Sequence, residues 1–226
     1  MQGFKRYAIY YAPESAVFAD FGKRWLGWDP LAGCDVPHPP YELPMDEITR
    51  TPRKYGFHGT IKPPFRLARG VDIGALHAAA TALMAGMSPV RVEALKLKRI
   101  GGFLALVPEG DTTELKSMAG KVVKALDAFR APMTDADIAR RNPARLSDHQ
   151  LDLLHRWGYP YVMDEFRFHL TLTSRVSPEL AERTREVLDT TLPDILPRPL
   201  KIRSLCLFGE ADDGNFHMLH RYPFGG

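Results

Sequence analysis

The chain has 226 residues, with 30 Lys and Arg against 27 Asp and Glu and a net charge of +3. At 45% hydrophobic and 25% charged residues it has the composition of a folded globular protein, which excludes collagen-like, disordered and membrane-spanning chains. The small net charge also excludes bulk nucleic-acid binding, so any preference for anions must be local.

Residues 7–12 are rich in β-forming aromatics and predict a strand between Lys5-Arg6 and Pro13. Residues 15–26 carry Val17, Phe18, Phe21 and Trp25 at helical spacing. Residues 29–45 are proline-rich and read as a loop. Residues 56–61 predict a second strand, ended by Pro63-Pro64. An Ala-rich helix follows over 71–87, with Leu76, Ala79, Ala80 and Leu83 on one face. Residues 90–97 and 103–107 predict two strands. Residues 112–129 predict a helix capped at Thr113, with a stripe of Leu115, Met118, Val122, Leu126 and Phe129. Short helical pieces follow over 135–158, where Ser147 and Gln150 form a capping box. Residues 166–173 predict a strand, and Ser177-Pro178 starts a helix reaching residue 192. A final strand pair, 200–208 and 216–222, is joined by the turn Asp212-Asp213-Gly214.

A unit of strand, helix, strand, strand thus occurs twice, over 56–107 and 166–222. This suggests an internal duplication within a single domain spanning 1–226, with a helical insert over about 132–164. The two cysteines, Cys34 and Cys206, fit no Cys-x-x-Cys pattern and suit a reducing compartment. The opening MQGFKRYAIYYAPE lacks the long apolar core of a signal peptide. A cytoplasmic protein without membrane attachment is expected.

Each copy of the repeat opens on Phe-His-x-Thr-apolar, as Phe57-His58-Gly59-Thr60-Ile61 and Phe168-His169-Leu170-Thr171-Leu172. With 8 histidines in the chain, chance supplies on the order of one His-x-Ser/Thr match. Two matches, each after Phe and each opening a repeat, are a stronger signal. Residues i and i+2 of a strand share a face. His58, Thr60 and Lys62 therefore share one face, and His169, Thr171 and Thr173 another. Cleaving a phosphodiester needs a base and an acid, and imidazole supplies both forms near neutrality. Thr hydroxyls can hold the non-bridging oxygens. No acidic residue lies between Ile48 and Val71, whereas Arg50, Arg53, Lys54, Lys62, Arg66 and Arg69 are basic. Lys62 is the leading phosphate-binding candidate. Arg167 and Arg175 keep the parity of His169, and Tyr7 is a further candidate for the cleft wall. No phosphate loop of the Gly-x-x-x-x-Gly-Lys-Ser/Thr type and no zinc-ligand spacing occurs.

The paired motifs resemble the two-histidine (LigT-like) phosphoesterase superfamily. The strings RYAIYYAP, YGFHGTIKPPF and RWGYPYVMDEFRFHLTLT are similar to a bacterial branch labelled as phosphonate-metabolism proteins. The resemblance implies an α+β, bilobal fold with duplicated halves around a cleft. It also implies metal-independent hydrolysis of a small cyclic phosphodiester, without a cofactor. His58 and His169 take the places of the family's histidines, and Thr60 and Thr171 those of its hydroxyl residues. Gly59 departs from the usual bulkier residue and leaves room for backbone or substrate. By association, the label points to a ribose cyclic phosphate, and a monomer is expected. The rival reading is a protein that grips an RNA end or nucleotide in the same cleft with little turnover. A third is 2′-5′ linkage chemistry through the same pair.

Overall fold

A computed structural model of the protein describes residues 3–226. Strand β1 (Tyr7–Tyr11) leads into α1 (Ala16–Leu26), which stops at Gly27. Gly27 has φ 75°, the left-handed conformation that closes helices, and its N–H donates to the Lys23 carbonyl. Two short strands, β2 (Trp28–Asp29) and β3 (Cys34–Asp35), pair inside the predicted loop. Helix α2 (Met45–Arg53) was not anticipated by the sequence reading. It buries Met45, Ile48, Thr49 and Pro52, an i, i+3, i+4, i+7 stripe that its polar remainder masks.

Strand β4 (Gly59–Phe65) runs through Pro63 and Pro64 instead of ending there. It pairs with β1 as Tyr11↔Gly59, Tyr10↔Thr60, Ile9↔Lys62 and Tyr7↔Phe65, and the register shifts twice along the way. The prolines fall where the ladder is already irregular, so their missing N–H groups break no regular run. Helix α3 (Ile73–Ala85) follows, with Asp72 accepting from the Ala75 N–H. The strand expected over 90–97 is two, β5 (Val90–Val92) and β6 (Ala94–Ile100), in different sheets. Then come β7 (Phe103–Glu109) and α4 (Thr113–Ala125), whose cap position is Thr112 rather than Thr113.

The insert contributes α5 (Asp135–Ala139) and α6 (Asp148–Trp157), the latter with the expected Ser147–Gln150 capping box. It packs a small apolar cluster of Leu153 and Val162 against Val123. The second copy supplies β8 (Leu170–Thr171), α7 (Pro178–Thr191), β9 (Leu200–Ile202), β10 (Ser204–Glu210) and β11 (Phe216–Pro223).

The class is α+β. One seven-stranded sheet has the order β11-β10-β1-β4-β8-β7-β6, and its neighbouring strands pair antiparallel throughout. The duplication is visible in it. The two motif strands β4 and β8 pair at the centre, and the matching short strands β5 and β9 pair with each other elsewhere. The β6–β7 hairpin of the first copy abuts the motif strand of the second. The β10–β11 hairpin of the second copy lies on the β4 side, with β1 between. The halves are interleaved. One face of this sheet buries Ile9, Tyr11, Ile61, Leu170 and Leu207 in the main core. The Trp25 indole N–H donates to the Leu172 carbonyl and ties α1 to β8's exit. The opposite face carries Ala8, Tyr10, Cys206 and Phe208. Cys34 is exposed, Cys206 is buried, and both are free thiols. No helix among the described residues is long and apolar enough to cross a membrane.

Candidate active site on the central strand pair

Strands β4 and β8 meet at Gly59↔Leu170. The strand expected over 166–173 is reduced to Leu170–Thr171, and each histidine stands one residue ahead of its strand. Extending the register by one residue places His58 across from Thr171 and Thr60 across from His169. All four side chains then share the sheet face away from the main core. Each of the four is half-buried, while their neighbours Phe57, Gly59, Ile61, Phe168, Leu170 and Leu172 are buried. The two histidines are diagonal neighbours, a relation that puts side chains about 7–8 Å apart.

Both rings are held by the same device. His58 Nδ1 donates to the Gly56 carbonyl at 2.9 Å, and His169 Nδ1 donates to the Arg167 carbonyl at 2.9 Å. A carbonyl only accepts, so in each ring Nδ1 carries the proton and Nε2 is left for chemistry. The Thr60 hydroxyl lies 3.1 Å from His58 Nε2 and donates to it.

The environments of the two rings differ. Tyr10, buried in β1 opposite Thr60, stacks on His58 with centroids 3.9 Å apart. Tyr55 approaches the same ring at 5.9 Å. Burial pushes the His58 pKa down from 6.5 to about 4; the Gly56 carbonyl opposes this, and the nearby His169 adds to it. Across the sheet, the residue opposite Thr171 is Ala105, which offers no ring. Among the described residues, the ring near His169 is Phe103, tilted at 6.0 Å.

The other sequence candidates fall elsewhere. Lys62 does not reach this face. The register shift after Thr60 breaks the strand's alternation, and Lys62 is 1% exposed. Its ammonium donates to the Val123 carbonyl and to Asp127 Oδ1, both at 3.2 Å. Burial lowers its pKa to about 8, against the pull of Asp127. Tyr7 is buried in the main core, because β1 turns its odd positions that way. Thr173 is buried too. Its hydroxyl accepts from the Leu104 N–H at 2.9 Å and donates to the Ser174 carbonyl at 2.8 Å. The Arg167 side chain is exposed beside Glu165, and it is the Arg167 carbonyl that orients His169. Arg175 lines an open hollow with Thr171 and Arg50. The space freed by Gly59 is filled by protein, since a Cβ there would lie 2.4 Å from the Phe168 ring. The sequence reading missed Tyr10 and Tyr55. The string Tyr10-Tyr11 held the signal, but β1 is buried throughout, so its pattern gave no parity.

Comparison with known proteins places this chain in a family. Residues 60–217 match the model described as "Protein of unknown function (DUF1045)", and the chain belongs to that family. The curated relatives include a ribose 1,5-bisphosphate phosphokinase PhnN of Janthinobacterium sp. (strain Marseille). It is 35% identical over 178 residues, 76% of this chain and 39% of that protein. A PhnN of the same name from Laribacter hongkongensis (strain HLHK9) is 34% identical over 217 residues, 92% of this chain and 49% of that protein. The chain therefore spans less than half the length of these two relatives. Among solved structures, TT0787 of Thermus thermophilus aligns at 13% identity over 98% of both chains, with a TM-score of 0.48. A phosphoesterase aligns at 12% identity over 99% of both chains, with a TM-score of 0.43.

Proposed function

We propose that the protein hydrolyses a small cyclic phosphodiester, with His58 as base and His169 as acid. The observation that carries this reading is the matched pair of Nδ1-anchored imidazoles just ahead of the adjacent strands β4 and β8, with the Thr60 hydroxyl 3.1 Å from His58 Nε2. Burial keeps His58 neutral near pH 7, which suits the base. Its Nε2 takes a proton from water, the water oxygen bonds to phosphorus, and the bond from phosphorus to a ring oxygen breaks. His169 Nε2–H gives its proton to that leaving oxygen, so the product is a phosphomonoester. With substrate bound, the Thr60 hydroxyl turns from His58 Nε2 to a non-bridging oxygen, which frees that nitrogen for water, and Thr171 donates to the other non-bridging oxygen as charge develops there. Arg167 and Arg175 add positive potential at the rim.

The names of the relatives support a phosphorylated pentose as the substrate class. This chain has no Gly-x-x-x-x-Gly-Lys-Ser/Thr loop, so we assign the segment it shares with them a reaction other than phosphorylation by ATP. The test is steady-state turnover of a panel of 2′,3′- and 1,2-cyclic phosphates with and without EDTA. Turnover that survives the chelator is expected. Full inhibition by EDTA with rescue by a divalent ion would overturn the mechanism. Tight binding without turnover across the panel would favour the rival, a nucleotide- or RNA-end-binding protein. Such a protein would use the hollow beside His169, which is lined by Lys96, Lys98, Arg99 and Lys116.

A further inference from the structure

On the same sheet face as His58, toward the insert, lies a cavity of about 240 Å³. Its wall includes Arg6 of the chain entering β1, Arg66 just past β4, Arg130, and Arg140 and Arg141 from the insert. Tyr55 joins it to the site, because the ring that approaches His58 also lines this cavity.

Carboxylates hold four of the five arginines: Glu210 and Asp127 do not line the cavity, whereas Asp137 is itself part of its wall. Glu210 takes two donors of Arg6, and Asp127 takes two of Arg130 at 2.8 and 3.1 Å. Asp137 receives Arg66 at 2.7 Å and Arg140 besides, and the Thr134 cap as well. Those contacts hold the Asp137 carboxyl well below the usual carboxylate range, the Arg66 hydrogen bond most of all. Arg141 lies over the Tyr159 ring at 4.7 Å and forms no ion pair among the described residues. The five lining arginines face three carboxylates, of which only Asp137 lines the cavity. A surplus of fixed guanidinium forks facing a small hollow is the arrangement that reads a phosphate dianion.

We infer that this cavity binds a terminal phosphomonoester of the substrate, while its cyclic phosphate lies between the histidines. The inference rests on the proposed phosphodiesterase reading and narrows it. The substrate is then a small sugar or nucleoside cyclic phosphate that carries a second phosphate. A cavity of this volume holds a phosphoryl group and its carbon, and is below the size that takes in a larger ligand whole. That favours the end of a small molecule over a continuing polynucleotide.

The experiment compares kcat/KM for ribose 2,3-cyclic phosphate with and without a 5-phosphate, in wild type, Arg141→Gln and Arg140→Gln. Wild type prefers the 5-phosphorylated substrate by about 10-fold or more, and each variant lowers that ratio while sparing the unphosphorylated substrate. A wild-type ratio near one, or a ratio unmoved in both correctly folded variants, overturns the subsite. If neither compound is turned over, the hydrolytic reading has failed, and calorimetry then judges the subsite alone. Ribose 5-phosphate binds wild type about 10-fold or more tighter than it binds Arg141→Gln, and ribose does not bind. Equal binding to both proteins overturns the inference. So does a 5′-phosphorylated oligonucleotide that outcompetes ribose 5-phosphate by more than its added phosphates explain.

Discussion

The acid limb of the pH–rate profile is set by the contact between Tyr10 and His58. The stacked ring, with Tyr55 beyond it, takes water away from the imidazole and disfavours its charged form. The difference between 6.5 and about 4 corresponds to about 3 kcal/mol of proton affinity. A base must be neutral to act, so kcat/KM falls on the acid side only as pH drops through about 4. Replacing Tyr10 with Leu keeps an apolar side chain in β1 but removes the stacked face. Water then reaches the ring, and the limb moves up by roughly one pH unit toward the unperturbed value. The assay is kcat/KM from pH 3.5 to 8 on a chromogenic phosphodiester, with the His58 ring protons followed by NMR as a second readout. Stability carries the same signature. Between 6.5 and about 4 the unfolded chain is protonated at this position and the folded one is not. Stability therefore falls as pH drops through that window, by up to about 3 kcal/mol from this group. A wild-type limb near 6.5, or one that stays put in Tyr10→Leu, refutes the reasoning.

His58→Ala and His169→Ala each lower kcat by about 10²–10⁴-fold, and the double variant is little worse than either, because the pair acts as a unit; single-turnover kinetics on all three proteins checks this. Gly59→Ala drives a methyl into the Phe168 ring and costs about 1–3 kcal/mol in chemical denaturation, and it lowers turnover because the same strand carries His58 and Thr60. Lys62→Met leaves Asp127 paired with Arg130 and removes a buried cation, so it is neutral or stabilising by about 1–2 kcal/mol near pH 7, with kcat/KM unchanged within a factor of about two. Wild-type stability rises as pH climbs from about 8 toward 10.5, since the folded state gives up the Lys62 proton first; urea titrations show that slope flattened in the variant.

The helices were legible where a stripe and a cap coincide. Ser147 and Ser177, read from the sequence as helix starts, cap α6 and α7. Helix α2 was hidden because only four of its nine residues are buried and one of them is a proline. The repeated order of elements pointed to a duplication, and the period-two geometry of strands put each motif's histidine and threonine on one face without knowledge of their neighbours. Lys62 shows where that logic stops. A register shift is a property of two strands together, and β4 alone carries no sign that its alternation ends after Thr60. The arginine cavity was out of reach for the same reason. Its arginines stand far apart in the chain, at Arg6, Arg66, Arg130 and Arg140-Arg141, and no local spacing links them.

Strand β1 belongs to neither copy of the repeat, yet it sits inside the sheet beside only one of the two histidines. A faithful doubling would have produced two equivalent rings, and equivalent rings have no reason to divide acid from base. Inserting a single unrelated strand breaks that parity: it sets an aromatic against one imidazole and leaves an alanine-sided opening by the other. Under the proposed reaction, a division of labour in the centre would follow from this odd strand rather than from any change within the twin motifs.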